Sequence, residues 1–301
     1  MTRSKRRTTA TRRTAATAAV LAASASLLSA GTLPAIAAGS PVQYVALGDS
    51  YASGPGITPE ADEACGRSRS NYPGITAAAL EHAVGLDVEF KDVSCSGATT
   101  RDLWNTQSTA AAPQLDALTE ETDLVSVTIG GNDLGFTRVL QQCVIAGLGD
   151  RAGSPCRDQL TSGGADQLET GIATLRDRID SMLTDIDRRS PGARVALVGY
   201  PALFPAEGDI CDPSTVPLAK GDVTYLDATT RKLNTMLAEE AREAGAVYVD
   251  AYKVSEGHDM CRPQDKRWYE PLMPVGDLSA HPNVLGHFFV ALHTAEALRQ
   301  P

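Results

Sequence analysis

An α/β fold, with a mainly parallel sheet covered by helices on both faces, is predicted by three features of the sequence. Five short apolar, β-branched runs recur along the chain, helical stretches separate them, and the first three runs each stop at a cluster of small polar residues. Strands that alternate with helices form βαβ units, whose right-handed crossovers carry the strand ends to one edge of the sheet.

The first run, residues 42–47, is followed by Gly48-Asp49-Ser50, which suits a tight turn. Ser50 thus stands at the carboxyl end of a strand, where parallel sheets place their ligands, although Asp49 and Ser50 equally suit a helix cap. A helix is expected over 71–84. The second run, 88–93, ends at Ser94-Cys95-Ser96-Gly97, and the third, 124–129, at Gly130-Gly131-Asn132-Asp133. Between 166 and 189, Leu168, Ile172, Leu175, Ile179, Leu183 and Ile186 recur at spacings of three and four, the apolar stripe of an amphipathic helix. Runs 195–198 and 247–249 complete the five strands. Helices are expected over 218–244, between those last two strands, and over 284–298.

The N-terminus reads as an export signal. Arg3, Lys5, Arg6, Arg7, Arg12 and Arg13 precede a small-residue apolar core that ends at Ala35-Ile36-Ala37, so residues 1–37 form a signal peptide and 38–301 a single domain. A stable membrane anchor would need about 20 strongly apolar residues, whereas this core is mostly Ala, Ser and Thr. The paired arginines raise a twin-arginine route. Loss of six basic residues leaves 21 basic against 37 acidic side chains, a formal charge of −16. Such a surface repels nucleic acid and anionic membranes, and 5% aromatics gives no sign of an interface-binding patch. A monomer is the default.

Six cysteines in an exported chain, Cys65, Cys95, Cys143, Cys156, Cys211 and Cys261, read as three disulfides; none has the two-residue spacing of a zinc knuckle. Fifteen connectivities are open. The sequential one is preferred, because all but one of the cysteines fall in Gly/Pro/Asp-rich stretches and the loops closed are short.

A serine hydroxyl needs a base to become a nucleophile. Of five histidines, His82 lies on an expected helix, His258 in a charged loop, and His287 and His293 on the last helix, where packing or capping is the default. His281 instead precedes Pro282-Asn283 in the loop after the fifth strand, at the sheet edge expected for Ser50. Gly97 offers an unobstructed backbone N–H, Asn132 a side-chain amide and Ser50 its own N–H, three donors for a developing oxyanion. Taken singly the glycines also suit plain turns.

GDSY at 48–51, Gly97 within CSGATT, IGGND at 129–133 and HPNVLGH at 281–287 resemble the four sequence blocks of the SGNH, or GDSL, hydrolase family. The likeness is greatest to its secreted actinobacterial branch of esterases and lipases with three disulfides. This resemblance implies a flavodoxin-like three-layer α/β/α sandwich and sequential disulfides. It further implies Ser50 as nucleophile, His281 as general base, and Ser50, Gly97 and Asn132 as oxyanion hole, with no cofactor. In one place the chain departs from the family: the position of the usual triad acid, three residues before the histidine, holds Leu278. The Ser279 carbonyl, with that of Leu278 second, is expected to take the His281 Nδ1–H instead, as it does in some members of this branch; the Asp277 side chain is the alternative.

The expected activity is hydrolysis of small-molecule or lipid acyl esters through a Ser-His dyad and an acyl-enzyme. Residues 51–56, 201–204 and 268–273 are expected around the acyl group. A carbohydrate acetyl esterase would use the same site with a more polar pocket, and an inactive binding module would have lost one of the four site residues. A nucleotide-binding protein is disfavoured because GDSYASGPG lacks the GxGxxG spacing of a phosphate cradle.

Overall fold

A computed structural model describes residues 40–205 and 211–299 of the chain. The expected signal peptide, 1–37, lies outside the described residues. In chain order the elements are β1 (Val42–Gly48), α1 (Ser50–Ser53), the antiparallel pair β2 (Glu60–Asp62) and β3 (Arg67–Ser68), and α2 (Tyr72–Ala79), continued by a π-helical turn over Leu80–Val84. There follow β4 (Val88–Asp92), β5 (Leu124–Thr128), α3 (Phe136–Gly147), α4 (Pro155–Thr161), α5 (Gln167–Arg189), β6 (Arg194–Val198), α6 (Lys220–Glu243), β7 (Val247–Val249), α7 (Ala251–Ser255) and α8 (Val284–Arg299).

All five expected strands join one parallel sheet in the order β4-β1-β5-β6-β7. The chain leaves β1 for one edge and then returns to build the sheet in the other direction. The carboxyl end of β1 is therefore the topological switch point, where open α/β sheets leave a crevice for ligands. Alternation along β1 separates the two layers. Val45 and Leu47 pack with Leu175, Ile179 and Leu183 of α5 and Leu233 and Leu237 of α6, whereas Tyr44 and Ala46 pack with Tyr72 of α2 and Val290 and Ala291 of α8. Each face of the sheet is thus sealed by apolar helix stripes, the strongest stabilising contribution available to a fold of this size.

The long helices begin where their sequences supply caps. Asp166 accepts the N–H groups of Leu168 and Glu169 at the start of α5, and Asn71 accepts that of Gly74 at the start of α2. Every residue of the predicted α5 stripe is buried. Helix α6 starts two residues later than expected, because the Leu218 N–H turns back onto the Val216 carbonyl instead of entering the helix.

Three disulfides link Cys65 to Cys95, Cys143 to Cys156 and Cys211 to Cys261. Cys143 and Cys156 sit on α3 and α4, not in loops, so their bond staples two short helices that the strand-and-helix pattern had not revealed.

Candidate active site

Gly48 ends β1 with φ +140°, and a Cβ there would stand 2.5 Å from the Thr128 carbonyl oxygen. Only glycine lets the chain turn so tightly against β5. Gln114 locks the turn, accepting the Gly48 N–H at 2.7 Å and donating to its carbonyl at 2.9 Å. Asp49 then caps α1 by accepting the Tyr51 N–H at 2.9 Å, and Ser50 begins the helix, 7% exposed.

His281 arrives on the loop before α8, and its Nε2 lies 2.8 Å from Ser50 Oγ. Its Nδ1 is 2.8 Å from the Ser279 carbonyl oxygen. A carbonyl only accepts, so Nδ1 carries the proton and Nε2 is left free to accept from the Ser50 hydroxyl. The Leu278 carbonyl is taken by the His281 backbone N–H at 2.8 Å. Asp277 is exposed and faces Gly56. The Tyr51 hydroxyl donates to the Ala280 carbonyl at 2.6 Å and holds Ala280 at φ +59°, an uncommon conformation for a residue with a Cβ. The backbone beside the imidazole is thereby anchored to the helix that carries Ser50.

The three expected oxyanion donors come from three strand ends. Among the described residues the N–H groups of Ser50 and Gly97 have no acceptor. Asn132 Nδ2 donates one hydrogen to the Ala98 carbonyl at 2.9 Å, which ties its loop to that of Gly97 and leaves its second hydrogen available. Asp133 strengthens that tie by accepting from the Thr100 N–H at 2.8 Å and the Thr100 hydroxyl at 2.6 Å.

Tyr200 completes the site without having been singled out by sequence, and Asp49, expected only as a helix cap, is its partner. Tyr200, just past the end of β6, donates its hydroxyl proton to Asp49 at 2.5 Å and accepts the Gly131 N–H at 2.7 Å. Burial raises the Asp49 carboxyl to about 7, against the pull of these hydrogen bonds, and Asp133 adds to the rise. Burial also holds the His281 imidazole below its ordinary value, although the Ser279 carbonyl and the Asp277 charge both raise it. Tyr200 follows a strand end, as Ser50, Gly97 and Asn132 do, and that position was the available signal.

The remaining histidines take structural places. His82 is exposed, His293 Nδ1–H donates to the Phe289 carbonyl, and His258 stacks on Trp268, with ring centroids 3.7 Å apart. His287 is buried, accepts the Tyr72 N–H on Nδ1 at 3.0 Å, and is pushed down to about 3 by burial, with His281 adding to the fall.

Ser50, Asn132 and His281 open onto a cavity of about 520 Å³. Of the residues expected around an acyl group, Tyr51, Leu203, Leu272 and Met273 line it, whereas Trp268 and Phe204 belong to the core. Its main apolar walls come instead from α3, with Phe136, Leu140 and Val144, and from α6, with Leu226 and Leu233. Among the described residues no three metal-ligating side chains converge.

Residues 46–288 match the model of the GDSL-like lipase/acylhydrolase family. The chain is 40% identical to Lipase 2 of Streptomyces coelicolor over 282 residues, which cover 90% of this chain and 92% of that one. Its fold superposes on the crystal structure of an extracellular lipase from Streptomyces rimosus with a TM-score of 0.69 at 29% identity, covering 85% of this chain and 99% of that one. Phospholipase A1 from Streptomyces albidoflavus gives the same TM-score, 0.69, at 30% identity, with 86% and 100% covered.

Proposed function

The chain belongs to the GDSL-like lipase/acylhydrolase family and is a carboxylic ester hydrolase, and on that premise we propose that it is a secreted enzyme that hydrolyses fatty-acyl esters through a Ser50–His281 dyad. One observation carries the mechanism: Ser50 Oγ lies 2.8 Å from an imidazole nitrogen whose partner nitrogen is committed to a carbonyl. His281 Nε2 takes the Ser50 proton as Oγ attacks the ester carbonyl carbon. The oxyanion is received by the N–H groups of Ser50 and Gly97 and the free amide hydrogen of Asn132. Collapse breaks the bond to the alcohol, which leaves with the proton from His281. Water, deprotonated by the same nitrogen, then releases the acid and restores Ser50. The imidazolium formed in each step faces a neutral carbonyl, so the oxyanion donors bear more of the transition-state stabilisation than in a triad with a carboxylate.

The cavity supports an acyl substrate with a chain. Its volume and apolar α3 and α6 walls suit hydrocarbon, and an acetyl group would leave most of that surface uncovered. Export through residues 1–37 is supported by the basic head and small-residue core of that segment, by three disulfides with no free cysteine among the described residues, and by the extracellular Streptomyces rimosus relative.

The test is hydrolysis of a chain-length series of nitrophenyl esters by the mature chain and by Ser50→Ala, with N-terminal sequencing of the exported protein. Activity that rises beyond acetate and vanishes in Ser50→Ala is expected. A maximum at acetate would transfer the reading to a short-chain acetyl esterase, and activity retained by Ser50→Ala would remove the dyad.

A further inference from the structure

Strongly exposed large apolar side chains fall mainly in two places among the described residues. Ile145, Leu148, Met273 and Val275 belong to two tips at the cavity mouth, while Val284, Leu285, Phe288 and Leu292 lie on α8, away from the cavity. Ile145 is 70%, Leu148 65% and Val275 80% exposed. Each tip carries an uncharged run: residues 145–149 read IAGLG, at the end of α3 and ahead of the exposed Asp150 and Arg151, and 272–276 read LMPVG, ahead of the exposed Asp277. Ile145, Met273 and Val275 also line the cavity, so three of the four exposed tip side chains belong at once to the surface and to the wall of the cavity that holds Ser50.

We propose that these two tips insert into the surface of an uncharged or zwitterionic lipid aggregate and seat the cavity mouth on it. The inference rests on the acyl-ester reading above, because the continuity of tips and cavity identifies the occupant. A lipid surface covers the tips and delivers an acyl chain into the cavity without carrying it through water, whereas tips left in water keep their apolar area hydrated. Charge selects among lipids. Without residues 1–37 the chain carries a formal −16, so an anionic surface repels it and an uncharged one does not.

The probe is flotation with phosphatidylcholine vesicles, using Ser50→Ala so that no lipid is turned over. The protein is expected to float with the vesicles. Leu148→Glu and Val275→Glu in that background are each expected to weaken partition about tenfold, since each replaces a buried aliphatic contact by a charge. Phe288→Glu on α8 is expected to have no effect. Leu148 lies outside the cavity lining, so Leu148→Glu with Ser50 intact should hydrolyse a soluble short-chain nitrophenyl ester as wild type does, which shows that it folds. Absence of flotation, partition insensitive to both tip charges, or partition lost only in Phe288→Glu would each overturn the proposal. So would a dimer in sedimentation that Leu148→Glu dissociates, because the tips would then cover a second copy. Wild-type turnover of the soluble ester, measured in parallel, separates the two ideas: turnover without flotation removes the docking surface alone, and no turnover of any ester removes the acyl-ester reading.

Discussion

The Tyr200 hydroxyl bridges two strand ends, donating to an oxygen of the buried Asp49 carboxyl at 2.5 Å while accepting the Gly131 N–H at 2.7 Å. Asp49 caps the helix turn that presents Ser50, and Gly131 precedes Asn132, so one phenol sets the turn of the proposed nucleophile against that of a proposed oxyanion donor. Tyr200→Phe keeps the ring and removes both hydrogen bonds. It is expected to destabilise the fold by about 2 kcal/mol, the scale of leaving buried polar groups unpaired. It is also expected to lower kcat about tenfold with KM little changed, since misplaced transition-state donors cost rate and not ground-state binding. Steady-state kinetics on a soluble nitrophenyl ester checks it; an unchanged kcat would reduce Tyr200 to a packing residue.

Asp49 makes stability depend on pH in an unusual direction. Its carboxyl is raised in the fold to about 7 from an ordinary 3.8, so the native chain holds a proton that the unfolded chain releases. Stability from this group is full below about pH 4 and is lost as pH rises through 7, with a slope approaching 1.4 kcal/mol per pH unit. Asp49→Asn removes the slope. Its stability relative to wild type should climb from pH 4 to 7 and then level off, as read by chemical denaturation across pH. A constant difference would mean that Asp49 is ordinarily ionised.

His287 pulls the other way. It is lowered in the fold to about 3 from an ordinary 6.5, so the unfolded chain takes up a proton first and stability is lost as pH falls through that interval. His287→Asn keeps an acceptor for the Tyr72 N–H and should lose a pH-independent amount through poorer packing. The difference from wild type should then narrow as pH falls below 6.5. Because Asp49 and His287 titrate over overlapping ranges with opposite slopes, each masks the other in wild type. The single variants should therefore tilt in opposite directions between pH 4 and 6.5, while the double variant returns toward the wild-type profile. Parallel single-variant profiles would show that neither shift is present.

The sheet was legible because its strands are short β-branched runs, the first three with a polar stop, and those stops held Ser50, Gly97 and Asn132. His281 was legible through its place before the last helix. What escaped was set by tertiary packing. Helix α3 carries Phe136, Val139, Leu140, Cys143 and Val144 at helical spacing, but glycines at both ends made the segment read as loop. That omission hid the main cavity wall and the exposed Ile145 tip. Tyr200 and Gln114 escaped for a different reason: their roles are hydrogen bonds to groups 66 or more residues away in sequence, and no local pattern encodes these. His287 looked like a helix packing residue, which it is, yet its buried, uncharged state appears only once α2 lies against α8.

Asp277 separates a dyad from a triad. In a triad the carboxylate orients the base, and its amide replacement costs on the order of 10⁴ in kcat. Here the Ser279 carbonyl holds His281 Nδ1–H at 2.8 Å, and Asp277 contributes only a field that raises the imidazole's pKa. Asp277→Asn is therefore expected to keep kcat/KM at its plateau within about threefold, the scale of losing an exposed charge interaction. The sign of its pH effect follows from the base's role. As the proposed base, His281 must be neutral to accept the Ser50 proton, so removing a charge that favours the imidazolium is expected to move the acidic limb of kcat/KM to lower pH. Burial has already placed that limb below the ordinary histidine range. Because Asp277 is exposed, the displacement should shrink at high salt. Profiles of wild type and Asp277→Asn on a soluble ester at low and high ionic strength test all three points. A thousandfold loss at the plateau would make Asp277 the orienting acid, and a limb displaced to higher pH would contradict the assignment of His281 as the base that Asp277's charge supports.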